Sequence, residues 1–344
     1  MTNNKCVLPF INYDYQSNSP CCILQKYDDE KDRGELLADH TANKKSRFCE
    51  GCWKTEEVWG IESKRQQYNR LYEQYLEQTH NDVKLNIIPV GNVCNLSCLT
   101  CGPNASTGWF KKYNFINNTK LKHTLEQNIN TENLKDIKGV EHIEFIGGET
   151  LQSQSLWDYL KIMDKSVSFS LQTNGTVVLT QEQVDLLNTF QTFNICFSID
   201  GTNKIFEYLR QPANWESTLS NMKRYADFFG RKKLSYYITV SNLNIFYIDE
   251  IVIELFKVLP LPPKINFVHW PPEFAYNNLP VDLGKIVEGR NPGFFKKRKI
   301  NWTGTKDSLQ RSISNLAKQD EFSGLKFSDS LPEVYEMIND FVKK

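Results

Sequence analysis

The stretch VKLNIIPVGNVCNLSCLTC, residues 83–101, joins an apolar, β-branched run to three closely spaced cysteines. Val83 to Val90 reads as a strand, and the cysteines directly follow its carboxyl end. The same kind of apolar run recurs at His142 to Ile146, Val167 to Leu171, Asn194 to Ile199, Leu234 to Val240 and Lys264 to Trp270. Between these six candidate strands lie amphipathic segments, Thr180 to Phe190, Trp215 to Phe229 and Ile248 to Leu259. Thr180 with Gln183 has the spacing of a capping box. Strand–helix alternation calls for right-handed crossovers and a mostly parallel sheet. Six units are too few for an eight-fold barrel, leaving a partial barrel or an open doubly wound sheet.

Outward from this core the chain changes character. The first eighty residues hold a loop-rich segment from Cys6 to Cys22. A long polar helical pattern follows from Lys54 to Thr79, with Trp59, Tyr68, Leu71, Tyr72 and Tyr75 as its apolar contacts. Beyond the sixth strand come proline turns at Pro271, Pro272 and Pro280 and a basic patch from Lys296 to Lys299. Two helical stretches close the chain, about Ser308 to Lys318 and Pro332 to Val342. The expected division is therefore 1–80, 81–290 and 291–344.

Composition excludes several classes. Of 344 residues, 40% are apolar and 24% charged, which rules out a disordered or collagen-like chain. Forty-one basic and forty-one acidic residues cancel, so no overall field draws the chain to nucleic acid or an anionic membrane. No apolar run approaches the ~18 residues of a membrane span, and no secretory signal is recognisable. The expectation is a soluble, cytoplasmic protein. Its nine cysteines are then reduced thiols, and eight of them fall within the first 101 residues. Such clustering points to metal ligation.

Cys94, Cys98 and Cys101 carry the spacing C-x3-C-x2-C. Three thiolates can each hold one iron of a [4Fe–4S] cube, leaving the fourth iron open for chemistry. A zinc ribbon is the competing reading. It would pair Cys49 and Cys52 with Cys98 and Cys101 across 45 residues, where about 15–20 is usual.

Here the sequence resembles the radical SAM superfamily over residues 81 to about 270. The resemblance implies a partial (β/α)6 TIM-like barrel, an α/β fold. It also implies a catalytic [4Fe–4S] cluster on Cys94, Cys98 and Cys101 whose open iron chelates S-adenosylmethionine. One electron would then release a 5′-deoxyadenosyl radical that abstracts hydrogen from a substrate. Thr100, before the third cysteine, departs from the large apolar residue often found there. Gly147-Gly148-Glu149, 46 residues after the triplet, matches the family's GGE motif, whose backbone and carboxylate hold the methionine amino group. Further S-adenosylmethionine contacts are implied at the ends of later strands, at Thr173, Asn174, Ser198, Asp200 and Ser241. Arg210 stands where related sequences pair a basic residue with the methionine carboxylate; a solvated arginine is the alternative. Cys196, inside the fourth run, reads as a small buried hydrophobe.

Cys6, Cys21, Cys49 and Cys52 remain. Their local patterns resemble the auxiliary-cluster region called twitch, a short relative of the SPASM domain, although that region is more often C-terminal. Cys21 is preferred to its neighbour Cys22 because it follows Pro20. Asn18 and Ser19 replace the usual glycine. The implied occupant is a second, fully ligated [4Fe–4S] cluster, and a four-cysteine zinc site is the competitor. His40, His80, His123, His142 and His269 form no spaced ligand set, although His269 ends a strand and could face the mouth.

Two classes of function follow. The first is a radical SAM oxidoreductase acting on a peptide or protein, with a reductant such as flavodoxin or ferredoxin; a sugar or other small molecule is the alternative substrate. The second is a non-catalytic iron–sulfur or zinc protein.

Overall fold

The structure is a computed structural model, and it describes all residues except 1–3, 15–19, 22, 23, 25, 58–61, 81, 123–138, 297 and 344. Asn18, Ser19, Cys22, Trp59, His123 and residue 297 of the basic patch lie outside the described residues.

Seven strands form one sheet: β1 (Asn12–Asp14), β2 (Leu85–Pro89), β3 (His142–Ile146), β4 (Ser168–Thr173), β5 (Phe193–Ser198), β6 (Leu234–Val240) and β7 (Lys264–Phe267). They hydrogen-bond in chain order, and every pairing is parallel. Consecutive parallel pairing with right-handed crossovers keeps the helices on one face and curls the sheet around the other. The fold is a partial TIM-like barrel. All six expected strands are present. The additional strand, β1, comes from the cysteine-rich N-terminal region and pairs with Leu85 to Ile87. Its three residues are too short to carry a period-two signal.

Among the described residues the helices longer than four residues are α1 (Asp29–Thr41), α2 (Glu50–Glu57), α3 (Lys64–Leu71), α4 (Trp109–Asn117), α5 (Gln154–Ile162), α6 (Gln181–Asn188), α7 (Asn203–Leu209), α8 (Trp215–Phe229), α9 (Ile248–Val258), α10 (Val281–Arg290), α11 (Lys306–Ser323) and α12 (Pro332–Lys343). Thr180 and Gln183 form the capping box that starts α6. The long helix expected over Lys54 to Thr79 is instead divided. Ser63 opens α3 with its own capping box to Gln66, which satisfies the orphan N–H groups of a new helix start.

Strand alternation sorts the residues. Leu234, Tyr236, Ile238 and Val240 of β6 are buried under the helices, while Ser235, Tyr237 and Thr239 face the lumen. On β4, Phe169 and Leu171 enter the core and Ser168, Ser170 and Gln172 turn inward. The lumen is correspondingly polar, with the His142 ring within 2.8 and 3.1 Å of the Ser168 and Ser170 hydroxyls. The N-terminal region shares a core with the sheet: Cys6, Leu8, Phe10 and Tyr68 pack with Leu85 and Ile87. The Tyr68 hydroxyl donates to Glu144 at 2.6 Å, and Gln67 donates to the Tyr237 hydroxyl at 3.1 Å, holding α3 against the lumen.

Phe169 is fully buried and meets the rings of Phe145, Phe190 and Phe193. Phe169→Ala should cost about 3–5 kcal/mol of stability by the cavity it leaves. Denaturant unfolding checks this, and a loss well under 1 kcal/mol would contradict the packing described.

Candidate functional site

Every strand of a parallel sheet delivers its carboxyl end to one rim, where the loops can converge. The loop after β2 carries Cys94, Cys98 and Cys101. Its shape is set by backbone pairing with the segment that ends α7: the N–H groups of Ser97 and Leu99 donate to the carbonyls of Gln211 and Leu209, at 2.6 and 2.8 Å. Lys112 of α4, fully buried, donates to the Ser97 carbonyl and the Gln211 side chain, each at 3.0 Å. Burial pushes its ammonium down to about 8. Trp109 donates its indole N–H to the Cys98 carbonyl at 2.8 Å.

The loop after β3 presses against this segment. Gly148 and Glu149 donate their N–H groups to the carbonyls of Gly91 and Val93. A Cβ on Gly147 would lie 2.5 Å from the Gly91 oxygen, and one on Gly148 would lie 2.4 Å from the Val93 oxygen. Only glycine permits this approach.

Cys94, Cys98, Cys101, Gly147, Gly148, Thr173, Asn174, Ser198, Asp200 and Arg210, all singled out in the sequence, line one cavity of about 240 Å3. Burial raises all three thiols, that of Cys98 to about 12. Opposing that penalty, the Arg210 guanidinium lies 4.0 Å from the Cys98 sulfur and the Asn174 amide lies 3.8 Å from that of Cys94. Arg210 is not a solvated arginine: it is 8% exposed, and its Nε donates to Asp200 at 2.9 Å. The other oxygen of Asp200 accepts from the Thr239 N–H at 2.8 Å, which ties the ends of β5 and β6 together.

Two further residues singled out in the sequence, Glu149 and Ser241, are buried behind the lining residues. Glu149 is fully buried and does not line the cavity. Its carboxylate accepts from Leu151 N–H (3.1 Å), the Thr173 hydroxyl (2.8 Å) and Asn174 N–H (2.6 Å). It braces the loop after β4. Ser241 is also buried and outside the lining, and its N–H donates to Asn244 at 2.7 Å. Asn244 in turn donates to the carbonyls of Asp200 and Thr239. Thr239, Ser106 and Lys112 were not legible as site residues. Nothing local distinguishes them, since the fold alone brings Thr239 and Ser106 to the cavity and Lys112 behind the cysteine loop.

The residues present suit an iron–sulfur cluster and a chelated amino acid. The cavity offers three soft donors, a backbone cradle that side chains would fill, and a buried guanidinium beside them. Among the described residues no three His, Cys, Asp or Glu side chains are grouped to hold a single metal ion.

In the N-terminal region Cys6, Cys21, Cys49 and Cys52 are all buried free thiols. Cys6, Cys49 and Cys52 are close enough for their charges to oppose one another, after the larger cost of burial. Cys196 is buried within β5. The lumen beside the main cavity holds two further spaces of about 500 and 420 Å3, both bordered by Lys64, Tyr68, Glu144 and Gln172. His269 lines the larger one. Among the described residues no helix is long and apolar enough to cross a membrane.

No protein-family model and no curated protein matches the chain. Among solved structures it is similar to Streptococcus suis SuiB bound to S-adenosylmethionine (13% identity, 79% of this chain and 65% of that one, TM-score 0.43). SuiB with its precursor peptide SuiA gives 14% identity over 73% of this chain and 51% of that one, with a TM-score of 0.41. Native anSMEcpe with bound AdoMet gives 17% identity over 71% and 62%, with a TM-score of 0.39. The chain thus spans about half to two thirds of the length of these solved chains.

Glu149→Ala should leave three donors without their acceptor and cost about 2–4 kcal/mol. Burial raises the Glu149 carboxyl to about 7. Between the ordinary carboxyl range and that value the folded chain holds the proton more tightly than the unfolded chain. Stability from this group therefore falls as pH rises from 5 to 8. Denaturant unfolding at the two pH values should show a decline that Glu149→Gln flattens; an equal decline in the variant would contradict it.

Proposed function

We propose that this chain is a radical SAM enzyme. The observation that carries the proposal is the convergence of three cysteines, the Gly147–Gly148 backbone and the Arg210–Asp200 pair on one cavity at the carboxyl rim of a parallel partial barrel. When bound, the cluster and S-adenosylmethionine supply an electron transfer that yields a 5′-deoxyadenosyl radical able to take a substrate hydrogen atom. Cys94, Cys98 and Cys101 would hold three irons. The Gly147–Gly148 backbone would receive the methionine amino group, and Arg210, already oriented by Asp200, would face its carboxylate. Glu149 would act on this site through Thr173 and Asn174 rather than by contact.

The substrate is proposed to be a peptide or protein. Gln172, Ser198 and Thr239 border both the main cavity and the larger lumen space, so a chain entering beside α3 would reach the radical's position. Cys6, Cys21, Cys49 and Cys52 would hold the auxiliary [4Fe–4S] cluster, whose role is to take or pass an electron after hydrogen abstraction. A flavodoxin or ferredoxin would supply the reductant, in the cytoplasm.

Changing Cys94, Cys98 and Cys101 together to Ala should remove about four irons per chain and abolish 5′-deoxyadenosine formation. Retained cleavage of S-adenosylmethionine would sink the assignment. Anaerobically prepared full chain should contain about eight irons, and the triple variant about four. Stoichiometric zinc beside only four irons would instead assign zinc to the N-terminal cysteines.

A further inference from the structure

His40 occupies the last turn of α1 and is wholly buried beside the N-terminal cysteines. Its Nε2 lies 3.5 Å from the Cys49 sulfur. Its Nδ1 lies 3.2 Å from the Cys6 backbone nitrogen and 3.3 Å from the Asn4 carbonyl oxygen. A neutral imidazole carries one proton, so these contacts constrain each other. The Cys6 N–H is aimed at Nδ1 and, being buried, needs an acceptor. A protonated Nδ1 would oppose it with a second N–H. The Asn4 carbonyl is only half-buried, so it does not depend on the ring for a donor. Nδ1 is therefore bare, and the ring proton sits on Nε2, facing sulfur.

The neighbouring sulfurs are treated alike. Cys6 receives the Leu8 N–H, and Cys52 receives the Arg65 N–H. Three sulfurs, each with a donor from a different part of the chain, form a set suited to thiolates. For Cys49 that donor is a side chain 9 residues away in sequence.

We propose that His40 is a positioning residue of the N-terminal centre: its Nε2–H donates to the Cys49 sulfur and raises the reduction potential of the cluster held there. This rests on reading Cys6, Cys21, Cys49 and Cys52 as cluster ligands. A hydrogen bond to a ligating sulfur stabilises the more negative, reduced state. His40 is not itself a ligand, because ligation through Nε2 would need that nitrogen bare.

The test uses the full chain with Cys94, Cys98 and Cys101 changed to Ala, so that one cluster is observed. His40→Leu removes the donor, and His40→Gln restores an N–H. Both should keep about four irons. In His40→Leu the reduction equilibrium should move about tenfold against the reduced form, about 59 mV for one electron, and His40→Gln should recover part of this. Should His40→Leu lose iron, pulsed EPR of the reduced cluster in 15N-histidine-labelled chain with His40 intact decides the matter. A weak nitrogen coupling with a proton that exchanges in D2O is expected. A strong coupling, as from iron-bound nitrogen, or no coupling at all, would overturn the proposal, as would an unchanged potential in His40→Leu with iron retained. Zinc in place of iron, read by metal analysis, would overturn the cluster reading and this inference with it.

Discussion

Parallel pairing in chain order is the constraint on which the rest of this molecule depends. It sends every strand end to one rim, so loops far apart in sequence must share a small space. The rim survives this crowding because polar groups tie neighbouring loops together. Asp200 takes the Thr239 N–H, Asn244 spans the carbonyls of Asp200 and Thr239, and Glu149 braces Thr173 and Asn174. Each tie satisfies a buried donor or acceptor that would otherwise cost free energy.

The second theme is the handling of buried sulfur. Burial alone disfavours thiolates at both cysteine groups. Around the rim group the compensation is mixed: the Arg210 guanidinium lies beside Cys98, and the Leu96 N–H and the Asn174 amide meet the Cys94 sulfur. In the N-terminal group it comes from the Arg65 charge, felt by Cys6, Cys49 and Cys52, together with the N–H groups of Leu8 and Arg65 and the His40 ring beside Cys49.

The lumen follows from the same architecture. A closed eight-strand barrel fills its interior with apolar side chains. Here the inward positions of β3 to β6 include His142, Glu144, Ser168, Ser170, Gln172, Ser235, Tyr237 and Thr239, and the interior is partly open beside α3. Polar inward residues tolerate that space and offer hydrogen bonds to whatever enters it.

Sequence alone determined the parallel α/β class, the six long strands and the three rim cysteines. These signals are local: alternation, apolar runs and short spacing follow from the geometry of a few consecutive residues. The resemblance carried by those motifs also singled out Gly147, Gly148, Thr173, Asn174, Ser198, Asp200 and Arg210, most of them at strand ends, which can be found once strands are found. Tertiary structure alone decided the rest. It added β1, broke the helix at Ser63, gave Glu149 and Ser241 buried hydrogen-bond partners on neighbouring loops, and brought Lys112, Thr239 and His40 to their sulfurs and loops. Which way a buried polar side chain turns depends on partners dozens of residues distant, and no local pattern encodes where those partners will be.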